Sequence, residues 1–342
     1  MKFGWVVLLS IIKMLNIFKN KTIAVTGGLG SIGSEIIRKL LKHNPKQIIL
    51  IDNRETETFY SQLEFPKVVH KIADIRDYKL IDSLFKEVDI VFHAAAMKHV
   101  TLCEEFPFEA LKTNVLGTKN IIDACIKNNV GKMILISTDK AANPLSMMGS
   151  TKLLAEKMVS AVATIKKCKT QFGIIRFGNV LYSRGSVLEI WEGQLKEKKN
   201  IFVTNKDMTR FFMSLDQAVD LIFTATKHSK KGEIFILKMP SVNIGEFAKA
   251  FLKSKGLPEN RIKIIGSKPG EKLHEKLLTE SDNLVLESKD LFISFPPYTD
   301  KKVINEIKKK GFKKSKVETI SSNDKALLLN EKDILKYLLK HK

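Results

Sequence analysis

The stretch Thr26–Glu35, TGGLGSIGSE, decides the fold, because it joins a predicted strand to a predicted helix. Its glycines Gly27, Gly30 and Gly33 recur every three residues. Residues without side chains let backbone N–H groups approach a pyrophosphate, and the following helix N-terminus adds a favourable dipole. The next predicted strand, QIILID, ends in Asp52, at the spacing of a carboxylate that binds an adenosine ribose. The pattern predicts a dinucleotide site.

The cofactor prediction extends to residues that follow the other predicted strands. Asp52 favours NAD because a carboxylate there repels a 2′-phosphate, whereas Arg54, two residues later, leaves NADP as an alternative. Small residues in VDIVFHAAAMKHV let the backbone pass close to a cofactor. The predicted cofactor contacts are Gly27, Gly30, Ser31, Ile32, Gly33, Asp52, Asn53, Arg54, Asp74, Ile75, Ala94, Ala95, Ala96, Asn114 and Lys152.

A second polar stretch, STDKAANPLSMMGSTK over Ser137–Lys152, follows the apolar run KMILI, which reads as a buried strand. Thr138, Asp139 and Lys140 therefore leave the carboxyl end of a strand, where open α/β sheets place their ligands. Lys152 lies at the start of a predicted helix. An acid and two bases beside a cofactor predict proton-transfer chemistry, and a salt-bridged helix cap is the structural alternative.

The composition indicates a globular protein without a disulfide framework or a metal site. The 342 residues are 44% apolar and 28% charged, which is ordinary for a globular chain. The cysteines, Cys103, Cys125 and Cys168, are far apart, and neither they nor the histidines have the spacing of a metal site or a disulfide framework. We therefore expect no metal and a reducing, cytoplasmic location.

The formal charge of +21 comes largely from lysines that are spread along helices and concentrated near the C-terminus. No basic stripe interleaved with aromatic residues accompanies them, so we expect no nucleic-acid partner. A surface that attracts anionic sugar nucleotides accounts for the charge equally well.

The N-terminus carries a short apolar run, Trp5–Ile12, which Lys13 interrupts. The run is well below the roughly 20 residues that a membrane-spanning helix needs. We expect a short N-terminal helix or a misassigned start, with Met14 as the alternative first residue, and no stable membrane insertion. Membrane association through this segment is the alternative.

Strand and helix alternate through residue 180, which predicts an α/β Rossmann fold with a doubly wound parallel sheet. Beyond it the pattern loosens and predicts a smaller, discontinuous C-terminal substrate lobe. The expected organisation is an N-terminal extension at 1–18, an NAD(P)-binding domain at 19–182, and a substrate lobe at 183–298. A strand and helix around 232–253 return to the Rossmann domain, and 299–342 form a basic linker and a C-terminal helix.

Several stretches in order resemble one family. TGGLGSIGSE, HAAAMKHV, KTNVLGT, STDKAANP, MGSTK, RFGNVLYSRGSV, MTRFFMS and KPGEKLHE, spanning roughly residues 20 to 297, are similar to extended short-chain dehydrogenases that act as UDP-N-acetylglucosamine 4,6-dehydratases in polysaccharide biosynthesis. The chain resembles the branch with methionine, here Met148, where most of the superfamily has a catalytic tyrosine. A thioether exchanges no proton, so the acceptor of the 4-hydroxyl proton stays open.

The resemblance implies a UDP-sugar substrate, a bound NAD and a homo-oligomer, dimeric or larger. The implied reaction is transient oxidation at C4, deprotonation at C5, loss of water from C6 and return of the hydride. Lys140 is then the C5 base, provided that its pKa falls toward neutrality, and Asp139 is the acid at the C6 oxygen. Thr138 orients the 4-oxygen, and Lys152 holds the nicotinamide ribose and favours deprotonation. The catalytic set is Thr138, Asp139, Lys140, Met148 and Lys152.

The substrate contacts are expected in the second lobe and beside the cofactor. Arg184 and Arg210 are candidates for the diphosphate, because a guanidinium matches phosphate geometry. The full predicted set is Lys98, Asn143, Asn179, Arg184, Ser186, Arg210 and Glu271. A nucleotide-sugar 4-epimerase and a non-catalytic NAD-binding regulatory protein are the alternatives, and the stereochemistry at C5 stays open.

Overall fold

The computed structural model describes residues 17–165 and 168–340. Within them, ten strands form one sheet in the order β16-β14-β15-β10-β6-β5-β4-β1-β2-β3. The strands from β3 to β10 in this order run parallel, and β15, β14 and β16 are antiparallel additions at one edge. The strands of this sheet are β1 Thr22–Thr26, β2 Gln47–Asp52, β3 Val69–Ile72, β4 Ile90–His93, β5 Lys132–Ile136, β6 Gln171–Arg176, β10 Lys231–Leu237, β14 Leu284–Glu287, β15 Leu291–Phe295 and β16 Lys313–Lys314.

Helices cover the sheet in two layers. Helices α1 and α9 pack against each other, as do α3 with α6 and α6 with α7. The helices are α1 Ser31–Leu40, α2 Glu55–Glu64, α3 Tyr78–Leu84, α4 Val100–Glu105, α5 Pro107–Leu111, α6 Thr118–Lys127, α7 Met147–Ile165, α8 Val187–Lys196, α9 Leu215–His228, α10 Ile244–Ser254, α11 Lys301–Lys308 and α12 Glu331–Lys340. A π-helical turn, Lys112–Gly117, precedes α6, and short 3₁₀ turns occur at Leu41–His43, Asp139–Ala141 and Glu259–Arg261.

The central strands are mostly apolar because the sheet is covered on both faces. Ile23, Ala24 and Val25 of β1 are completely buried, and Ile134 and Leu135 of β5 are buried beside them. The prediction of an α/β Rossmann fold is confirmed. The sixth strand in chain order, β6, ends at Arg176.

The second lobe has its own apolar core around Trp191, Phe247 and Phe251, which α12 helps to cover with Ile334 and Leu338. Its small sheets have the orders β11-β9-β7, β12-β8 and β13-β17. Their strands are β7 Asn179–Val180, β8 Ile201–Val203, β9 Thr209–Met213, β11 Ser241–Asn243, β12 Ile262–Ile264, β13 Lys276–Leu278 and β17 Ile320–Ser321. Strand β10, from the middle of the C-terminal half, lies in the large sheet.

The C-terminal part of the chain is more ordered than the sequence predicts. The basic segment after residue 299 is not a linker, because it folds into α11 and the edge strand β16, which pairs with β14. Ile307 anchors α11 and is almost completely buried, so its lysines occupy the outer face of a docked helix. The expectations for residues 1–13 lie outside the described residues. Within 17–165 and 168–340, no helix has the length and apolarity to cross a membrane.

Candidate active site

A cleft of about 820 Å³ opens at the carboxyl ends of β1, β2, β4 and β5. It lies where the strand order reverses, the position at which open α/β sheets bind ligands. Most of the predicted site residues line it, namely Gly27, Gly30, Ser31, Ile32, Gly33, Asp52, Asn53, Arg54, Asp74, Ile75, Ala94, Ala95, Ala96, Lys98, Thr138, Lys140, Met148, Lys152, Asn179, Arg184 and Ser186.

The glycine turn between β1 and α1 leaves no room for side chains. Gly27 has φ of +66°, and a Cβ atom there would lie 2.6 Å from the backbone nitrogen of Ala95. A Cβ atom on Gly33 would lie 2.8 Å from the Cα atom of Gly28. The turn therefore packs directly on the small residues after β4 and presents bare backbone to the cleft. This is the cradle that a pyrophosphate requires.

Asp52 ends β2 and is buried, 8% exposed. Its carboxylate accepts a hydrogen bond from the backbone N–H of Leu29 at 3.1 Å, which ties it to the glycine turn. The guanidinium of Arg54 donates to the same carboxylate, with Nε 3.0 Å from Oδ1. This hydrogen bond raises the pKa of Arg54. The Arg54 charge is thus committed to Asp52 in this conformation.

Asn114 supports the cleft from behind. Its side chain accepts from the backbone N–H of Met97 at 2.8 Å and donates to Thr151 Oγ1 at 3.1 Å. It is 1% exposed and is not among the lining residues. The structure therefore places Asn114 as a link between the loop after β4 and helix α7, which carries Lys152.

The 3₁₀ turn after β5 brings together the polar residues predicted to be catalytic. Thr138 Oγ1 donates to Asp139 Oδ1 at 2.9 Å, and Lys140 Nζ donates to the same oxygen at 3.0 Å. Asp139 is completely buried, and its Oδ2 accepts no hydrogen bond from the described part of the chain. Lys140 of this ion pair lines the cleft, whereas Asp139, with its spare carboxylate oxygen, is not among the lining residues.

The expected fall of the Lys140 pKa toward neutrality is not found. Burial acts to lower this pKa, but the charges of Asp139 and Glu275 outweigh burial, and the pKa of Lys140 ends above its ordinary value. Glu275 Oε1 lies 3.6 Å from Lys140 Nζ. Two carboxylates beside one ammonium stabilise its charged form.

Of the two lysines in the stretch Ser137–Lys152, Lys152 rather than Lys140 has a lowered pKa. Burial lowers the pKa of Lys152 to about 8. Its Nζ donates to the backbone carbonyl of Ile136 at 2.5 Å. One turn earlier on α7, Met148 is 5% exposed and packs in a small apolar cluster with Cys103 and Ala110 while lining the cleft.

Four predicted substrate contacts lie at the far wall. The guanidinium of Arg184 donates to the carbonyl of Leu29 at 2.9 Å, and Lys98 Nζ donates to the carbonyl of Arg184. Asn179 Oδ1 and Ser186 Oγ are buried without a hydrogen-bond partner among the described residues. Buried polar atoms are normally paired, so these two suit a polar ligand.

Asn143, Arg210 and Glu271 are not among the lining residues. Asn143 is exposed beyond the catalytic turn. The guanidinium of Arg210 donates to the carbonyls of Lys272, at 2.8 Å, and of Leu273, at 3.2 Å, so backbone groups occupy it. Glu271 accepts from the N–H of Lys268, at 3.0 Å, within its own loop.

Two buried features were not predicted. Glu275 contacts Lys140, although the only sequence signal was its place in the motif KPGEKLHE. Arg176 on β6 pairs with Glu156 of α7 at 2.7 Å and with Asp282 at 3.2 Å. Glu156 also accepts from Ser137 Oγ at 2.6 Å, which fixes the start of the catalytic turn.

Comparison with known proteins gives a consistent family assignment. A family model described as polysaccharide biosynthesis protein matches residues 23–295. An uncharacterized membrane protein of Methanocaldococcus jannaschii is 46% identical over 333 residues, which cover 94% of this chain and 96% of the relative. A UDP-glucose 4-epimerase of Rickettsia akari is 41% identical over 274 residues, 78% of this chain and 80% of the relative.

Solved structures share the same fold. Pen from Bacillus thuringiensis matches with a TM-score of 0.87 and 35% identity, over 94% of this chain and 99% of that one. The dTDP-glucose 4,6-dehydratase DesIV from Streptomyces venezuelae, solved with NAD and TYD bound, matches with a TM-score of 0.69 and 20% identity, over 74% of this chain and 86% of that one. The second likeness describes the fold alone.

Proposed function

The chain belongs to the polysaccharide biosynthesis protein family, and from this premise we propose that it is an NAD-dependent UDP-N-acetylglucosamine 4,6-dehydratase. The observation that carries the proposal is the buried ion pair of Asp139 and Lys140, with Nζ 3.0 Å from Oδ1. A dehydratase needs an acid for the departing 6-hydroxyl and a base for the C5 proton, and this pair supplies both.

The cofactor side of the cleft fits a nicotinamide dinucleotide. The glycine turn has no space for a Cβ at Gly33, so backbone N–H groups would hold the pyrophosphate. Asp52 would accept from an adenosine ribose, and Asp74 and Ile75 would flank the adenine. When bound, such a cofactor supplies reversible hydride transfer. DesIV, of the same fold, was solved with NAD.

The Asp139–Lys140 pair can carry out the elimination of water and hold the same number of protons before and after the step. A proton passes from Lys140 Nζ to Asp139 Oδ1 along their hydrogen bond. The neutral amine then takes the C5 proton, and the carboxylic acid gives its proton to the C6 oxygen as the C6–O bond breaks and water leaves. The ammonium and carboxylate are thereby restored, and because the pKa of Lys140 is raised, the neutral amine is the minor form of the pair before elimination.

We assign to Lys152 the role of the base that accepts the proton of the sugar 4-hydroxyl. Met148 exchanges no proton, whereas the Lys152 amine has a pKa of about 8 and lines the same wall. In its neutral form Lys152 accepts the 4-hydroxyl proton, and Thr138 orients the oxygen. This role differs from the ribose contact implied by the family resemblance.

A nucleotide-sugar 4-epimerase is the second candidate, because the Rickettsia akari relative, at 41% identity, bears that name. Epimerisation at C4 needs the same oxidation but no acid for C6. Lys152 and Thr138 would suffice for it, and the Asp139–Lys140 pair would then serve only structure.

Incubation of the purified protein with UDP-N-acetylglucosamine in deuterated water, followed by mass spectrometry and NMR, tests the proposal. We expect a 4-keto-6-deoxy product that has lost one water and carries deuterium at C5. A galacto epimer of unchanged composition would establish the epimerase. Absence of turnover with UDP-N-acetylglucosamine would refute the proposed substrate, and UDP-glucose is the comparison substrate.

A further inference from the structure

Behind the ion pair lies a loop of the second lobe, Lys268–Glu275, to which the mechanism above gives no role. Arg210 clamps this loop through the carbonyls of Lys272 and Leu273. The loop leads into β13, which packs on the catalytic 3₁₀ turn. The second lobe therefore reaches the catalytic residues through a fixed segment.

Glu275 is the loop residue that meets the ion pair. It is 2% exposed, and its Oε1 lies 3.6 Å from Lys140 Nζ. Its other oxygen, Oε2, lies 3.3 Å from Lys272 Nζ in an ion pair without hydrogen-bond geometry. Asp139, Lys140, Glu275 and Lys272 thus form a buried row of alternating charges.

We propose that Glu275 is a positioning residue that holds the ammonium form of Lys140 over the catalytic turn and so makes its amine a stronger acceptor for the C5 proton. The inference rests on the proposed dehydratase mechanism. The physical reason is that a carboxylate beside a developing ammonium stabilises the product of proton transfer. Lys272 neutralises Glu275, so the carboxylate stays ionised in a buried site.

The charges that face Lys140 come from three segments. Asp139 and Glu275 raise the pKa of Lys140, whereas burial and Arg210 lower it. Removing the Glu275 charge alone should therefore lower this pKa. We expect a shift of about one pH unit, as is usual for a single opposite charge at short range.

Lysine labelling measures this effect without relying on activity. Acetic anhydride reacts with the neutral amine, so at pH 9 the rate at Lys140, read by peptide mass spectrometry, reports its neutral fraction. Glu275→Gln should label Lys140 about tenfold faster than the wild type does, which corresponds to one pH unit. The matched control is Glu280→Gln, an exposed glutamate of the following segment, and exposed Lys263 is the reference in each digest. An unchanged rate in Glu275→Gln, or an equal gain in both variants, overturns the inference.

A second variant keeps the test decisive if Glu275→Gln folds poorly. Lys272→Gln leaves the Glu275 charge without its counter-ion, so Lys140 should label more slowly than in the wild type. Faster labelling there would contradict the proposed charge row.

Turnover separates this inference from the proposed function. In deuterated water, Glu275→Gln should also change the rate of deuterium uptake at C5 of the substrate, by up to about tenfold, because it raises the neutral fraction of Lys140 and lowers the basicity of its amine. If the wild type forms the dehydrated product but neither labelling nor C5 exchange responds to Glu275→Gln, the inference alone fails. If the wild type forms no such product, the proposed function fails, whatever the labelling shows.

Discussion

The ammonium group of Lys152 lies 2.5 Å from the backbone carbonyl oxygen of Ile136, the last residue of β5. This contact ties α7 to the strand that leads into the catalytic turn. Lys152 is 7% exposed, and its burial lowers its pKa to about 8. An amine so placed changes its charge within the range of pH in which enzymes work.

The pH dependence of activity should follow Lys152. A proton acceptor must be neutral, so kcat should rise with pH, reach half of its plateau near pH 8, and fall about tenfold for each unit below that value. Initial rates at saturating substrate, measured in quenched reactions from pH 6 to 9 with conversion followed by mass spectrometry, give this pH profile of kcat.

The matched variant is Lys152→Arg, which keeps a positive charge but holds its proton at every working pH. It should lose at least ~10²-fold in kcat, the usual contribution of a general base. A variant that retains most of the activity would show that Lys152 acts by its charge, as a ribose contact would.

The glycine turn predicts a steric test of cofactor binding. Gly33→Ala should abolish retention of NAD by the purified protein, because the new methyl group meets Gly28 Cα at 2.8 Å and the backbone carbonyl of Gly27. Bound nucleotide, released by heat and measured by chromatography, is the readout. The control is Gly193→Ala on α8, where the new Cβ has no atom within 4 Å apart from its chain neighbours and the backbone of its own helix. It should keep NAD and gain up to about 1 kcal/mol in the free energy of unfolding. Equal nucleotide content in the two variants would contradict the steric argument.

Met148 should tolerate a change that preserves its shape. Met148→Leu should keep kcat within about threefold, because the residue supplies packing against Cys103 and Ala110 and no proton. Met148→Ala, which leaves a cavity, should cost more in stability than in kcat. Steady-state kinetics and thermal unfolding measure the two effects, and a large loss of kcat in Met148→Leu would assign the thioether a chemical role.

The buried Arg176 should contribute strongly to the free energy of unfolding, because it pairs with Glu156 of α7 and with Asp282. Arg176→Met leaves Glu156 and Asp282 without their cation, and such a change typically costs about 3–5 kcal/mol in the free energy of unfolding. Urea unfolding measures it. The control, Lys119→Met, breaks the exposed pair with Asp123 and should cost less than about 1 kcal/mol. Similar losses in both variants would be inconsistent with the burial argument.

The parts of the site that sequence analysis predicted rest on local signals. The cofactor site was predicted from one segment of about thirty residues. That segment contains the regularly spaced Gly27, Gly30 and Gly33 and the strand that ends in Asp52. All four of these residues line the cleft in the structure. The same locality explains why Thr138 and Lys140 could be placed, since a polar run directly follows an apolar strand.

The unpredicted parts depend on contacts between distant segments. The guanidinium of Arg210 is suited to a phosphate, but in the structure it donates hydrogen bonds to backbone carbonyls that lie more than sixty residues away in the sequence. Glu275 lies far along the chain from Lys140, and the chain pattern does not indicate that β13 packs on the catalytic turn. The pKa of Lys140 differs from the expectation because the charge of its sequence neighbour Asp139 and the charge of the distant Glu275 together outweigh burial, and only the second depends on a contact between distant segments.

The division of labour between Asp139 and Lys140 gives the sharpest prediction. Asp139→Asn and Lys140→Ala should each lower kcat by at least ~10²-fold, because each removes one half of the proton pair. In deuterated water, Lys140→Ala should also slow exchange at C5, whereas Asp139→Asn should leave that exchange in place and block the loss of water. The distinction follows because removing the Asp139 charge lowers the pKa of Lys140, so that the amine can lose its own proton to solvent and still take the C5 proton, whereas only the carboxylic acid of Asp139 donates to the C6 oxygen.

NMR of the recovered substrate and product measures exchange and water loss separately. Asp290→Asn and Lys263→Ala, the same kinds of change at exposed positions, should match the wild type in both. If Asp139→Asn and Lys140→Ala had equal and small effects, the pair would be a structural ion pair beneath the cleft, and elimination would have to use other groups. If both variants lost C5 exchange alike, Lys140 would need Asp139 as the acceptor of its own proton, and deprotonation at C5 could not be assigned to Lys140 alone.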